Sequence, residues 1–509
     1  MMSPFTRNII ANILGKGWPT FVGIACIPLY IRFLGIEAYG LVGVFTALQT
    51  VLSLLDLGLS TTANRELARL SGQDASGQAS RDLMRTLERV YWSLAILIAV
   101  GVAGLAPWLS GTWLRSVHLP GPAMYEALLL MGLAIALQFP SALYAGGLLG
   151  LQRQVPYNGI VIVVVTLRGI GAILMLWRVS PTIQAFLAWQ AVMSLVLTVA
   201  TGWLLWRHLP ISPAAPRFRS ALLRSIWRFA AGMSGISALG VILTQLDKLT
   251  LSRLVTLEQF GYYSLATVVA SGLYLVASPV YTAAFPRFSQ LASRGEMEAV
   301  RAVYHKSCQL VAVTVWPMAL IIACFARELL LLWTGSAVTA EATHRVLSLL
   351  IVGTALNTMA ITPLALQLAH GWTRLAFVQN ALAVALLAPC IVWMASRYGP
   401  AGAAVAWIIL NAGYVLVGLT LMHQRLLRGE LRTWYLVDTG RPLAASLAVA
   451  LLCRWAYPSH AAPVAAFGWL AAASALTLAA AAAVAPYPRQ WVRQLLAGKK
   501  PLLRGEVAP

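Results

Sequence analysis

At 509 residues, the chain is 59% hydrophobic and only 10% charged, with a mean hydropathy of +0.76. A soluble domain carries about a quarter charged residues, so the composition excludes one and points to a polytopic α-helical membrane protein; a transmembrane β-barrel would show short alternating segments instead. The net charge of +21 does not point to nucleic acid, because the basic residues lie mostly in short loops, where they set topology and meet anionic lipid.

Long apolar runs predict membrane spans near 8–31, 39–62, 90–109, 124–148, 158–177, 183–206, 229–252, 262–285, 307–332, 345–369, 376–396, 401–422, 442–457 and 464–485, about fourteen helices in all. The first run is too long for a signal-peptide core and has no clean small-residue cleavage site, so it reads as a retained helix. Loops 63–89, 207–228, 286–306 and 423–441 and the tail 488–509 hold most of the 37 Lys+Arg. The positive-inside rule places them, and both termini, in the cytoplasm. Segments 64–89 and 217–228 can form amphipathic helices on that face. The outer loops are too short for an extramembrane catalytic domain. Cys26, Cys308, Cys324, Cys390 and Cys453 are scattered through apolar segments without a CxxC or Cys/His cluster, so they read as small buried hydrophobes, with no disulfide or metal site.

One phrase occurs twice. RFLGIEAYG (32–40) and RLVTLEQFG (253–261) share the pattern R-x4-E-x-aromatic-G, 221 positions apart, and the same offset superposes Thr46 on Thr267. The first copy lies between spans 1 and 2, the second between spans 7 and 8. This predicts two six-helix lobes related by an internal repeat, 1–210 and 211–430, with 431–509 adding two more spans and a tail. Transporters built this way bind substrate at the repeat interface.

Four stretches, PLYIRFLGIEAYG (28–40), LLDLGLSTTANRELA (54–68), QLDKLTLSRLVTLEQFGYYSLA (245–266) and YGPAGAAVA (398–406), resemble the bacterial polysaccharide-repeat-unit flippases for O-antigen and exopolysaccharide. These belong to the multidrug/oligosaccharidyl-lipid/polysaccharide exporter superfamily. The resemblance implies a bacterial inner-membrane protein with a two-lobed cavity. Its implied substrate is an undecaprenyl-pyrophosphate-linked oligosaccharide, moved from the inner to the outer leaflet by alternating access. Membrane lipids and the polysaccharide polymerase and export machinery are the implied partners.

Ionisable residues within spans are the candidate site residues, because a charge at the bilayer centre costs about 2.5–3.5 kcal/mol or more. Arg168, in VIVVVTLRGIGAIL, falls near the middle of its span; its planar fork can bind pyrophosphate, or it can bond helix carbonyls or an acid. Lys16 sits among Gly15, Gly17 and Pro19 in the first span, a local loosening of the helix that suits an anion-binding cavity; the alternative is a snorkelling lysine. Asp247 and Lys248 are helix neighbours about 100° apart, so each needs its own partner. Lys248 is a third cavity cation. Asp247 is a candidate for ion coupling or for closing the lobes. Asp56 is a second coupling candidate, with pairing to an inner-loop arginine as its alternative. Glu37 and Glu258 read as first-turn acids that cap the following helices. Gln138, Gln190, Gln245, Asn357, Gln367, Gln379, Asn380 and Asn411, with Tyr263, Tyr274 and Tyr281, could bind sugar, or bond between helices. His305, His344 and His370 lie in or beside loops, isolated from one another, and read as poor candidates for metal ligands.

No Walker pattern, HExxH or nucleophile elbow is present, so the expectation is a transporter without cofactor or metal, driven by an ion gradient or the membrane potential. Two readings compete. A lipid II flippase or ion-coupled drug extruder belongs to the same superfamily, but a cation extruder needs an acid-dominated cavity. A membrane-embedded glycosyltransferase or polymerase needs acids or histidines at an outer active site, and Glu37, Glu258 and Glu341 stand singly.

Overall fold

The structure, a computed structural model, describes residues 4–70, 77–458 and 462–496; the side chains at 4–14, 16, 225–237, 491–493, 495 and 496 lie outside that description. The chain folds as two compact units, Met1–Gly261 and Tyr262–Pro509. Among the described residues, everything except one isolated bridge is helix or short connection.

In the first unit, α1 (Pro4–Leu34) runs through Pro19 and Pro28 and is followed by α2 (Ile36–Leu52), α3 (Leu59–Leu70), α4 (Gln78–Trp108), α5 (Gly121–Gln138), α6 (Pro140–Gly150), α7 (Gln154–Arg178), α8 (Ile183–His208) and α9 (Ser220–Leu254). Helix α1 packs on α7, α5 on α4 and α8, α3 on α6, and α9 on α2, α3 and α4. Helix α10 (Leu257–Ser293) leads into the second unit. There follow α11 (Met297–Cys324), α12 (Ala326–Thr334), α13 (Ala337–Met359), α14 (Ile361–Ala369), α15 (Thr373–Gly413), α16 (Leu419–Leu426), the single turn α17 (Leu431–Thr433), α18 (Arg441–Trp455), α19 (Pro463–Val484) and α20 (Pro486–Leu496). Helices α18 and α19 pack on each other and on α11, where Ile321, Phe325, Ala450, Leu470 and Ala473 form a buried apolar cluster.

Twelve helices among the described residues are long and apolar enough to cross a membrane, against about fourteen expected. One of the twelve, Thr373–Leu426, covers two expected spans, and the backbone breaks within it at Gly399, whose φ of 58° is open mainly to glycine. The expected span 229–252 lies in α9, partly outside the described side chains. Exposed apolar residues such as Ile96, Leu97, Val100, Leu386 and Phe467 supply the surface that a lipid environment requires.

The repeated phrase has a structural purpose. Each copy ends one helix, at Leu34 or Leu254, and starts the next, with Glu37 or Glu258 in its first turn. The two copies meet backbone to backbone. A Cβ on Gly40 would lie 2.3 Å from the Leu257 carbonyl oxygen, and one on Gly261 would lie 2.3 Å from that of Ile36. Only glycine fits at either place. The segment after α4 is sewn to both copies: the Leu257 amide donates to the Arg115 carbonyl at 2.8 Å, and Trp113 Nε1 donates to Ser252 Oγ at 3.0 Å. Glu37 accepts the amides of Val117 (2.6 Å) and His118 (3.0 Å), so its buried carboxylate caps this segment as well as opening its own helix, a use not anticipated from the sequence.

Candidate functional site

Arg168 lies well inside α7, whose neighbours hold it in place. Gly169 lets α1 approach closely, with Val22 and Cys26 against it, and its carbonyl accepts from Tyr30 at 3.4 Å. On the other side, Trp189 Nε1 of α8 donates to the Arg168 carbonyl at 3.2 Å and stacks over Gly171. Among the described residues the half-buried guanidinium makes one hydrogen bond, from Nη2 to Ser194 Oγ of α8 at 3.3 Å, and its buried Nε has no hydrogen-bond partner. Ser194 in turn donates to Gln138 Oε1 at 3.2 Å.

Gln138 stands at a helix break. Helix α5 ends there and Pro140 opens α6, while Thr198 Oγ1 caps the Leu137 carbonyl (2.6 Å) and Ser141 Oγ the Gln138 carbonyl (2.6 Å). A second break faces it. Between α2 and α3 the chain tightens into a 3₁₀ turn, Ser53–Asp56, then passes through Leu57 and Gly58 with φ of 49° and 74°. Asp56 sits at this break and accepts from the Ser60 amide (3.3 Å) and hydroxyl (2.9 Å), capping α3, and from the Tyr91 hydroxyl of α4. Among the described residues no arginine pairs with it. The two breaks line a half-open cavity of about 130 Å³, with Gln49, Ser53, Asp56, Gln138, Phe139 and Ser141 among its walls. Interrupted helices that line a cavity are a recurrent way to place polar backbone and side chains at membrane depth.

The other anticipated residues are more dispersed. Lys248 on α9 donates to Gln245 of the same helix at 3.2 Å, and Asp247 beside it is half-buried. The Lys16 side chain lies outside the described residues. No direct hydrogen bond or ion pair joins Arg168, Asp56 and Lys248 among the described residues; Arg168 reaches the Asp56 cavity only through Ser194 and Gln138.

Within the second unit, the polar residues bond from helix to helix. Tyr274 donates to Asn357 Oδ1 (2.9 Å) and Asn357 Nδ2 to Asn411 Oδ1 (2.6 Å), while Asn411 Nδ2 turns back to the Trp407 carbonyl of its own helix (2.7 Å). One cluster was invisible in the sequence. His305 of α11, read from the sequence only as standing apart from His344 and His370, lies with Nδ1 on the fully buried Asp438 and Nε2 on Glu430 (3.2 Å). Gln309 Nε2 also donates to Asp438 (2.9 Å), while its Oε1 accepts the Tyr487 amide of α20 (2.9 Å). Asp438 lies 133 residues from His305, in a π-helical stretch, so no local pattern signals the pairing.

Residues 5–292 match the family described as polysaccharide biosynthesis protein, more than half of the chain. The chain belongs to this family. It is 22% identical over 419 residues to a Shigella flexneri protein described as "Putative O-antigen transporter", covering 80% of this chain and 95% of that one. Its fold is that of the lipid II flippase MurJ in an inward closed conformation, with a TM-score of 0.71 at 13% identity over 96% of this chain and 99% of the other. An inward-facing multidrug resistance transporter of the MATE family shares the fold at a TM-score of 0.64 and 14% identity, over 80% of this chain and 94% of that one. The resemblance carried by the four sequence stretches is therefore confirmed, and the chain is a multi-pass membrane protein of the polysaccharide biosynthesis protein family.

Proposed function

We propose that the chain is a flippase that carries an undecaprenyl-pyrophosphate-linked oligosaccharide from the inner to the outer leaflet of a bacterial inner membrane. The lobes 1–210 and 211–430 would alternate in access, 431–509 would add two spans, and both termini would be cytoplasmic. Family membership supports transport rather than enzymatic chemistry, and the described O-antigen relative supports a glycan cargo.

Arg168 is the observation that carries the reading. A guanidinium within an apolar span costs about 2.5–3.5 kcal/mol or more, and a single hydroxyl partner does little to offset it. Its buried, unmatched Nε supports a missing anionic partner with oxygens to spare, as a pyrophosphate has. Lys16 and Lys248 would extend the cationic path. Asp247 would couple transport to an ion gradient, with the membrane potential as the other source of drive. Asp56, the second coupling candidate, lines the cavity between the helix breaks. Product would pass to polymerase and export machinery.

The shared fold with a lipid II flippase supports one competing reading, since lipid II also carries a pyrophosphate. Purified protein in vesicles separates the two. Translocation should be measured for a polyprenyl-pyrophosphate oligosaccharide and for lipid II. Transport of the oligosaccharide is the expected result, and transport of lipid II alone would replace the proposal.

A further inference from the structure

We infer that the cavity between the two helix breaks is a saccharide subsite that takes the sugar attached directly to the pyrophosphate. This rests on the flippase reading and names which part of that substrate Asp56 meets.

Size is the first argument. At about 130 Å³ the cavity is roughly ten times what one water needs, so it is more than a hydration niche. Chemistry is the second. The lining named above has one carboxylate, two side-chain amides, two hydroxyls and one aromatic ring, and no lysine or arginine. That set suits a neutral, hydroxyl-rich ring better than a phosphate. Asp56, as a carboxylate, accepts and so requires donors. Ser60 and Tyr91 supply some, and sugar hydroxyls would supply the rest. Gln49 and Gln138 can both donate and accept, as paired hydroxyls require, and Phe139 offers an apolar surface.

Connectivity is the third. In a sugar pyrophosphate the anion and the first sugar are covalently adjacent. Here the anion-seeking Arg168 and the Asp56 cavity are separated by one relay, Arg168 to Ser194 at 3.3 Å and Ser194 to Gln138 at 3.2 Å. Two helix breaks from different parts of the sequence converge on that spot. A multivalent metal is a poor occupant: the described residues hold no group of three His, Cys, Asp or Glu suited to one.

The test compares two probes in vesicles with the full-length protein: a polyprenyl pyrophosphate carrying a disaccharide, and the same lipid without sugar. Asp56→Asn and Gln49→Ala should each lower binding and translocation of the glycosylated probe about tenfold, with little change for the sugar-free one. Gln49→Ala guards against misfolding, because the capping contact of Gln49 uses its backbone carbonyl, which the substitution keeps, while the Asp56 side chain itself caps α3. Arg168→Ala should weaken both probes alike. If Asp56→Asn and Gln49→Ala leave the glycosylated probe unaffected, or reduce both probes equally, the subsite is wrong. If Asp56→Asn instead removes dependence on the pH or sodium gradient while probe selectivity stays intact, Asp56 is an ion site and the saccharide role is overturned. If Arg168→Ala alters neither probe, the anion-site reading fails, whatever becomes of the cavity.

Discussion

Arg168 could be read from the sequence because a charge inside an apolar run must be accounted for wherever it lies. What it touches could not be read, because Ser194 and Gln138 stand on two other helices and look ordinary in their own segments. That environment sharpens a prediction. Removing Arg168 leaves Ser194 still donating to Gln138, so no buried group loses its only partner. Arg168→Ala should therefore change stability by about 1 kcal/mol or less, while abolishing export of the surface glycan. Arg168→Lys keeps the charge, loses the fork and should support partial export. Membrane abundance, thermal midpoint and glycan display measure all three. An unstable Arg168→Ala protein would mark a structural arginine, and normal export would remove the residue from the site. His305 teaches the converse lesson. With a carboxylate at each ring nitrogen, an imidazolium satisfies both acceptors. Asp438→Asn breaks this buried arrangement and should cost about 3 kcal/mol or more, seen as a lower thermal midpoint and faster hydrogen exchange in 441–455. An unchanged midpoint would show that the cluster contributes nothing to holding α18.

The expected apolar runs fall on helices, but several of them are broken inside a span. The apolar run 39–62 reads as one helix, yet a 3₁₀ turn divides it at Ser53–Asp56, and Leu57 takes a left-handed conformation that nothing about a leucine announces. Packing imposes that break: α3 must seat against α6, where Gly146 and Gly150 lie directly on the Ser60 and Asn64 carbonyls. The repeated turns are the opposite case, a sequence signal with a clear structural reason. A methyl on Gly40 would overlap backbone that cannot move aside alone, so Gly40→Ala should cost about 1–3 kcal/mol and lower the thermal midpoint. Gly23→Ala on α1, where nothing lies within 4 Å of the added methyl, should be neutral or slightly stabilising. Equal behaviour of the two variants would mean that the turns do not depend on close approach.

For the whole molecule, the distribution of basic residues makes a directional prediction. Single cysteines introduced at exposed positions of 64–89, 207–228 and 423–441 should react with membrane-impermeant reagent only from the cytoplasmic side, and those at the exposed positions of 35–38 and 256–259, Gly35 and Gln259, only from the outside. Labelling of 35–38 and 256–259 from the cytoplasm would invert the proposed orientation and, with it, the direction of transport.

Sequence by itself determined the solvent, the class of fold, the family and the charges that demand explanation. Hydropathy and loop charge are sums over local segments, and the family resemblance lies in contiguous stretches such as 28–40 and 245–266. Tertiary structure alone decided what those charges meet: the pairing of Gly40 with Gly261, the relay from Arg168 to Gln138, the cavity at Asp56 and the placing of His305 between Asp438 and Glu430. Each joins residues far apart in the chain. In a protein whose helices are apolar on nearly every face, little in a single segment says which face will meet a neighbour and which will meet lipid; the helices settle that only by packing against one another.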